Sequence, residues 1–307
     1  MSELGTKGWT LPEKLDVSEL LGIMTRALEG QEQDAEYLQG MQIAVPGAGK
    51  LYGVRVPQLR AMAKQLAQKY RDQEQYLDRF AQASWAQGTR EHRLIALFVL
   101  AGTRKLTPER RWEMGVEFLP DVEDWETCDQ LCTALLGQAL AEDPNYMDLL
   151  ETWIDDGNFW VRRAALVSTV ILRRAKFSEA TAKELDQRTL GMCAILLEDG
   201  EKYIRKAVDW TVREVVKRHY ALAYTWMLDQ AQSGFGAVGR STLKLSAKKL
   251  DENDRQYLLT ALEYDPDSNC ARSFNQSHPP GKSTYRRCIG QREAARLLTL
   301  NSQCTRP

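Results

Sequence analysis

The residues best suited to chemistry lie in DVEDWETCDQL at 121–131, where Trp125 and Asp129 stand four positions apart. On a helix that spacing puts the two side chains about 40° apart on one face. Asp124 is a natural N-cap, so the pattern predicts that Trp125 begins a helix and Asp129 follows one turn later. An anion beside an aromatic face holds positive charge in two ways, through its own charge and through the ring quadrupole. Breaking an N-glycosidic bond needs such help, because positive charge develops on the sugar. That chemistry requires neither a metal nor a cofactor, and none is expected. Taken alone, the pair is more simply a core-edge tryptophan beside a solvated aspartate.

The candidate anion-binding residues lie further along, in EKYIRKAVDWTVREVVKR at 201–218. At about 100° per residue, Lys202, Lys206, Trp210, Arg213 and Lys217 fall within a wedge of roughly 80°. Ile204, Ala207, Val208, Val212 and Val215 take the opposite side as a core face. A basic stripe with an interposed ring suits a phosphate backbone with a stacking platform. The plain alternative is a solvated basic face with a stray aromatic. In GNFWVRRAALVSTVILRRA at 157–175 the apolar residues run around most of the circumference, which predicts an inner helix whose arginines need partners. Arg163 and Arg174 share one stripe, Arg162 and Arg173 another. Periodicity does not choose between them, and ion pairing to the acidic 141–156 segment competes with a ligand role.

Other motifs lead nowhere. PGAGK at 46–50 is too short for a phosphate-binding loop, is followed by Leu51 rather than Ser or Thr, and has no preceding strand. Cys128 and Cys132 lie one turn apart, but they join Leu131 and Leu135 in an apolar stripe and lack further ligands for zinc. The net charge of −1 hides a split. Residues 101–160 hold 4 Lys and Arg against 14 Asp and Glu, and residues 161–250 hold 17 against 9. Such asymmetry fits a one-sided anion-binding surface.

The elements that must position these residues are helical almost throughout, with apolar residues three and four apart from about Val17 to Leu250. Breaks fall at Val56-Pro57, Leu106-Thr107-Pro108, Asp143-Pro144, Asp156-Gly157-Asn158 and Asp199-Gly200. Roughly a dozen helices follow, with no period-2 strand. The pattern predicts an all-α chain, an α-solenoid of HEAT- or armadillo-like antiparallel pairs, about 35–40 residues per pair. Residues 1–16 are a lead-in, 17–250 the repeat domain, and 251–307 a polar extension expected to be largely disordered. No apolar run is long enough to span a membrane, no signal-peptide h-region follows the N-terminus, and the six cysteines form no regular framework. A cytoplasmic, nucleoid-associated monomer is expected.

Three segments in order, W-E-T-C-D at 125–129, N-F-W-V-R-R-A-A at 158–165 and I-R-K-A-V-D-W-T-V-R-E at 204–214, resemble the AlkD family of DNA alkylation repair glycosylases. YGVRVPQLRAMAK at 52–64 is similar to that family's N-terminal signature, and the resemblance covers about residues 18–250. It implies HEAT-like repeats whose concave basic face holds duplex DNA, and hydrolysis of cationic N3- or N7-alkylated purines to leave an abasic site. Carried over by position, Asp129 stabilises the developing cation and helps position water, while Trp125 and Trp210 pack on the damaged nucleotide. Arg163 grips the backbone near the lesion, Tyr37 lines the cleft's N-terminal wall, and the lesion stays stacked. Loop 41–57 is longer than the family pattern, and Arg55 replaces a shorter polar residue. The rival expectation is a non-catalytic HEAT-like protein that binds structured or damaged DNA.

Overall fold

The structure is a computed structural model describing residues 10–14, 16–30 and 34–263. The described residues contain α-helices joined by short turns and no strand. In chain order they are α1 Val17–Glu29, α2 Ala35–Ala44, α3 Val56–Lys69, α4 Glu74–Trp85, α5 Arg90–Gly102, α6 Pro108–Phe118, α7 Trp125–Leu131, α8 Gly137–Glu142, α9 Tyr146–Thr152, α10 Phe159–Ser168, α11 Glu179–Ile195, α12 Lys202–Arg218, α13 Tyr220–Gln232, α14 Ala237–Ser246 and α15 Glu252–Glu263.

The helix ends follow their sequence signals. Thr89, Thr107, Asp124, Asn158 and Ser178 each accept a backbone N–H from the first turn of the helix they precede. Pro57 and Pro108 sit in the first turns of α3 and α6, where the missing N–H costs nothing. Some elements are shorter than the periodicity suggests. The run 157–175 is α10 followed by a 3₁₀ segment at Thr169–Arg174, and α7 continues into α8 through a π-helical segment at Cys132–Leu136.

Helices α3, α5, α7, α10, α12 and α14 pack against one another in succession and make one row, with α4, α6, α9, α11 and α13 behind it. The second helix of each antiparallel pair therefore supplies the row, as expected of a helical-repeat stack. Two apolar clusters hold the row together, a smaller one from α1, α3, α4 and α5 and a larger one reaching to α15. Helix α5 feeds both: Leu94, Ile95, Phe98 and Val99 face the first, and Ala96, Leu97 and Leu100 face the second.

Packing extends past the expected limit at Leu250. Leu258 and Leu262 of α15 are buried in the larger cluster, so the helical stack runs to Glu263. The apolar positions of 252–263 look weak beside the polar residues around them, which hid this helix in the sequence. The expected disorder of the remaining tail falls on 264–307, outside the described residues. At the other end, the lead-in is tied to α3: Lys69 donates to the Leu11 carbonyl at 2.8 Å and the Tyr70 hydroxyl to the Pro12 carbonyl at 2.7 Å.

His92 of α5 is buried, with Nδ1 2.6 Å from the Thr89 hydroxyl and Nε2 3.0 Å from the Thr25 hydroxyl. Burial, assisted by the positive charge of Lys50, lowers its pKa from 6.5 to about 4. The unfolded chain then binds a proton that the folded chain refuses between those two values. Stability is full above pH 6.5 and falls as pH drops toward 4, by on the order of 3 kcal/mol at about 1.4 kcal/mol per pKa unit. Urea unfolding at pH 7 and pH 4.5 checks this: His92→Gln should flatten that part of the acid slope.

Candidate active site

Asp124 caps α7 by accepting the Thr127 N–H at 2.8 Å, so Trp125 is the first helical residue, as its spacing predicts. Trp125 is half-buried, and its indole N–H donates to the Ala44 carbonyl at the end of α2, at 2.8 Å. One turn on, Asp129 is 8% exposed and takes a two-pronged ion pair from α10. Arg163 Nε reaches Oδ1 and Nη2 reaches Oδ2, each at 2.9 Å. The third arm of that guanidinium, Nη1, donates to the Tyr203 carbonyl in the first turn of α12 at 2.5 Å. Three successive row helices are thus tied together through Arg163.

The carboxylate feels opposing forces. Burial raises the Asp129 pKa and the Arg163 charge pulls it back, leaving a net rise above the usual carboxylate range. Next to it, burial drives the Cys128 thiol well above its usual value, as befits an inert core thiol. Cys128, Leu131, Cys132 and Leu135 are all fully buried, which makes their stripe core. No group of three or more His, Cys, Asp or Glu suited to a metal occurs among the described residues. The π segment begins three residues after Asp129, and Thr133 donates its hydroxyl to the Asp129 carbonyl at 2.8 Å. Such π segments are frequent at functional sites.

The acidic neighbours of Asp129 are not all exposed. Glu126 is buried and receives Arg90 of α5, Nε at 2.6 Å and Nη2 at 3.0 Å. Arg90 also meets Glu91 at 3.1 Å and the Val54 carbonyl at 3.2 Å. Glu91 in turn accepts the backbone N–H groups of Tyr52, Gly53 and Val54 at 3.0–3.3 Å. This buried charge network anchors the long loop between α2 and α3 to the base of α7. Sequence reasoning missed it, although REHR at the head of an otherwise apolar helix was its signal.

The same loop explains PGAGK. Gly47 has φ 96°, and a Cβ there would lie 2.2 Å from the Glu123 carbonyl oxygen. The loop backbone lies against the turn that leads into α7, so its glycines serve close packing beside Trp125 rather than a phosphate cradle. Gly47→Ala is expected to push the loop off that turn and cost about 2 kcal/mol or more. A chemical denaturation midpoint, read together with Trp125 fluorescence, checks it.

The remaining candidates are distributed more widely. Ile204, Ala207, Val208, Val212 and Val215 are all fully buried, so α12 has its expected core face. The opposite stripe is less basic than its sequence. Arg213 is held by Asp209 at 2.9 and 3.1 Å, and Lys217 pairs with Glu214, because each acid stands one turn before its base. Lys202 lies over the Tyr203 ring at 4.7 Å, and Lys206 is exposed with no partner among the described residues. Trp210 is half-buried against the larger core, seven residues beyond Tyr203 and so about 10 Å further along α12. The link from α12 toward Asp129 is therefore the Tyr203 carbonyl, which reaches it through Arg163. Tyr37 on α2 is half-buried beneath the Arg55 guanidinium, 4.2 Å from its ring centre, and Arg55 also pairs with Asp34 at 2.9 Å. The other arginines of 157–175 do not pair with carboxylates of 141–156: Arg162 takes Asp199 and Arg173 takes Asp186, both at 2.9 Å.

The family model described as "DNA alkylation repair enzyme" matches residues 26–235. The chain belongs to the DNA alkylation repair enzyme family. That match takes in every helix of the row except α14, and it includes α7, α10 and α12 of the candidate site. The fold agrees. The structure titled "Predicted DNA alkylation repair enzyme from Enterococcus faecalis" superposes with a TM-score of 0.59 at 17% identity, covering 73% of this chain and 99% of that one. AlkD2 from Streptococcus mutans gives 0.50 at 18% identity, over 70% and 98%. No curated protein matches the sequence significantly. The DNA-repair role and the helical-repeat fold are thus those of the family, and among the described residues no helix is long and apolar enough to cross a membrane.

Proposed function

We propose that the protein is a monofunctional DNA glycosylase that hydrolyses the N-glycosidic bond of cationic N3- or N7-alkylated purines in duplex DNA. The supporting observation is the Asp129 carboxylate, fixed by Arg163 at the core edge, on the same helix face as Trp125. An alkylated purine already carries positive charge and leaves as a neutral base, so no strong general acid is required. The demand on the protein is to stabilise the charge that passes to the sugar. A preset carboxylate in a low-dielectric edge does this at no cost in reorganisation. Asp129 also serves to orient the attacking water, and Trp125 and Trp210 pack on the damaged nucleotide.

Arg163 takes a different part from the backbone grip that the resemblance implies. Three of its donors are spent on Asp129 and Tyr203, and it is 4% exposed. It is a positioning residue that keeps Asp129 ionised and aimed. Phosphate contact then falls to Lys202 and Lys206, with Arg213 and Lys217 contributing less because their charges are already paired. The duplex is placed along the row of helices, on a basic concave face. Release of 7-methylguanine or 3-methyladenine from methylated duplex DNA by the purified chain tests the reading. A protein that binds duplex and releases neither base would instead be a non-catalytic DNA-binding member of the family.

A further inference from the structure

Asp129 has a neighbour whose hydrogen-bonding capacity is only half used. Gln130 follows it on α7 and is partly exposed. Its Oε1 accepts from Arg60 Nη2 of α3 at 2.9 Å. A guanidinium donates and never accepts, so this contact fixes which end of the carboxamide faces Arg60. Arg60 is itself held in place, with its guanidinium 4.1 Å from the Phe98 ring centre. The Gln130 Nε2 group is therefore turned away from Arg60 with both N–H donors, and it has no hydrogen-bond partner among the described residues. The other part-exposed polar donors of this stretch are occupied. Trp125 donates its N–H to the Ala44 carbonyl, Thr133 its hydroxyl to the Asp129 carbonyl, and Gln138 its Nε2 to the Thr133 carbonyl at 3.3 Å. Gln130 keeps a fixed, unpaired set of donors beside the candidate carboxylate.

What those donors meet follows from where Asp129 has to act. The proposed reaction breaks the bond from the sugar C1′ to purine N9, and Asp129 stabilises charge on that sugar. In duplex DNA both glycosidic bonds of a pair open toward the minor groove, where purine N3 and pyrimidine O2 are the acceptors. Purine N3 is separated from C1′ only by C4 and N9. Consecutive Cα atoms lie about 3.8 Å apart, close to the roughly 3.4 Å rise between base pairs, so Asp129 and Gln130 address the same nucleotide. An N–H pair beside that sugar suits the N3 lone pair. The two lesion types differ at this atom. A purine alkylated at N7 keeps the lone pair. A purine alkylated at N3 has lost it and carries an alkyl group where the amide nitrogen would stand. Oε1 offers no substitute contact, because Arg60 occupies it.

We propose that Gln130 is a specificity-determining residue that donates to purine N3 from the minor-groove side and so favours N7- over N3-alkylated purines. Arg60 is its positioning residue. The proposal rests on the glycosylase reading above and deepens it to a choice between substrates. Undamaged purines also keep N3, and they are spared for another reason: their bases carry no positive charge and leave poorly. Losing the hydrogen bond and leaving the donor unpaired separates the lesions by about tenfold, because water still reaches a partly exposed amide and makes up part of the loss.

Duplex DNA treated with a methylating agent carries both lesions, so the full chain acts on them in competition and the ratio of release rates is the ratio of kcat/KM. Gln130→Ala should lower the ratio of 7-methylguanine to 3-methyladenine release about tenfold. Damage to folding or to DNA binding lowers both rates together and leaves the ratio alone. Arg60→Lys still offers donors to Oε1 and should hold the ratio near that of the wild type. Arg60→Met frees the amide to turn and should lower it. In Arg60→Met/Gln130→Ala the ratio should be that of Gln130→Ala alone, since both changes act through one amide. An unchanged or higher ratio in Gln130→Ala overturns the proposal and leaves the glycosylase reading intact. A further fall when Arg60→Met is added to Gln130→Ala overturns the positioning role of Arg60. Release of neither base by the wild type removes the glycosylase reading and this proposal with it.

Discussion

Asp129→Asn is expected to cut release of methylated purines by roughly 100- to 1,000-fold, the loss seen when one preset group that stabilises transition-state charge is removed. The loss should appear in kcat with KM little changed, because the carboxylate acts on charge that exists only as the bond breaks. The change is nearly isosteric, and the Asn oxygen still accepts from Arg163, so DNA binding should persist. The pH profile gives a second readout. Asp129 must be ionised to act, and burial lifts its pKa above the usual carboxylate range against the pull of Arg163. Activity should therefore be full at neutral pH and fall on an acid limb that lies higher than an exposed aspartate would give. Arg163→Lys, which keeps a positive charge but loses the fork, should move that limb further upward. Full excision by Asp129→Asn would remove this mechanism outright.

The second large effect concerns stability. Arg90 is 1% exposed and balances two buried acids, Glu91 and Glu126. Arg90→Met leaves both carboxylates without their partner, and breaking a buried pair in this way costs about 3–5 kcal/mol. The melting temperature of the full chain should fall by several degrees at least. Glu126→Leu placed on top of Arg90→Met should recover part of the loss, since an apolar pair of similar volume is tolerated where a lone charge is not. If the double variant is no more stable than Arg90→Met, the network holds α7 by some means other than charge. Because Arg90 fixes the base of α7 and, through Val54, the loop beside Trp125, the single variant should also lose base release out of proportion to its unfolded fraction.

Much of the site's local geometry was legible. Asp124 as N-cap, Trp125 as the first helical residue and the apolar stripe through Cys128 all follow from one helix's own spacing, which is a local property. The core face of α12 was legible for the same reason. Two of the four cations opposite it, Arg213 and Lys217, are paired with Asp209 and Glu214, which stand at pairing distance in the same helix. Arg162 and Arg173 found their acids in the turn before α12 and in α11, not in the 141–156 segment. The end of the stack at Leu250 was misplaced because α15 carries too few apolar residues to stand out before its neighbours are known.

The helices, their caps and the apolar face of each follow from residues within a turn or two of one another. The same local spacing puts Trp125 and Asp129 side by side. Only the packed chain shows that Arg163 rather than Arg162 meets Asp129, that Tyr203 supplies a carbonyl to Arg163, that Arg90 takes Glu126, and that Arg60 donates to Gln130. These partners lie 34 to 70 residues apart. Their meeting depends on how far each row helix is rotated against the next, and that rotation is set by packing across the whole core rather than by any one segment.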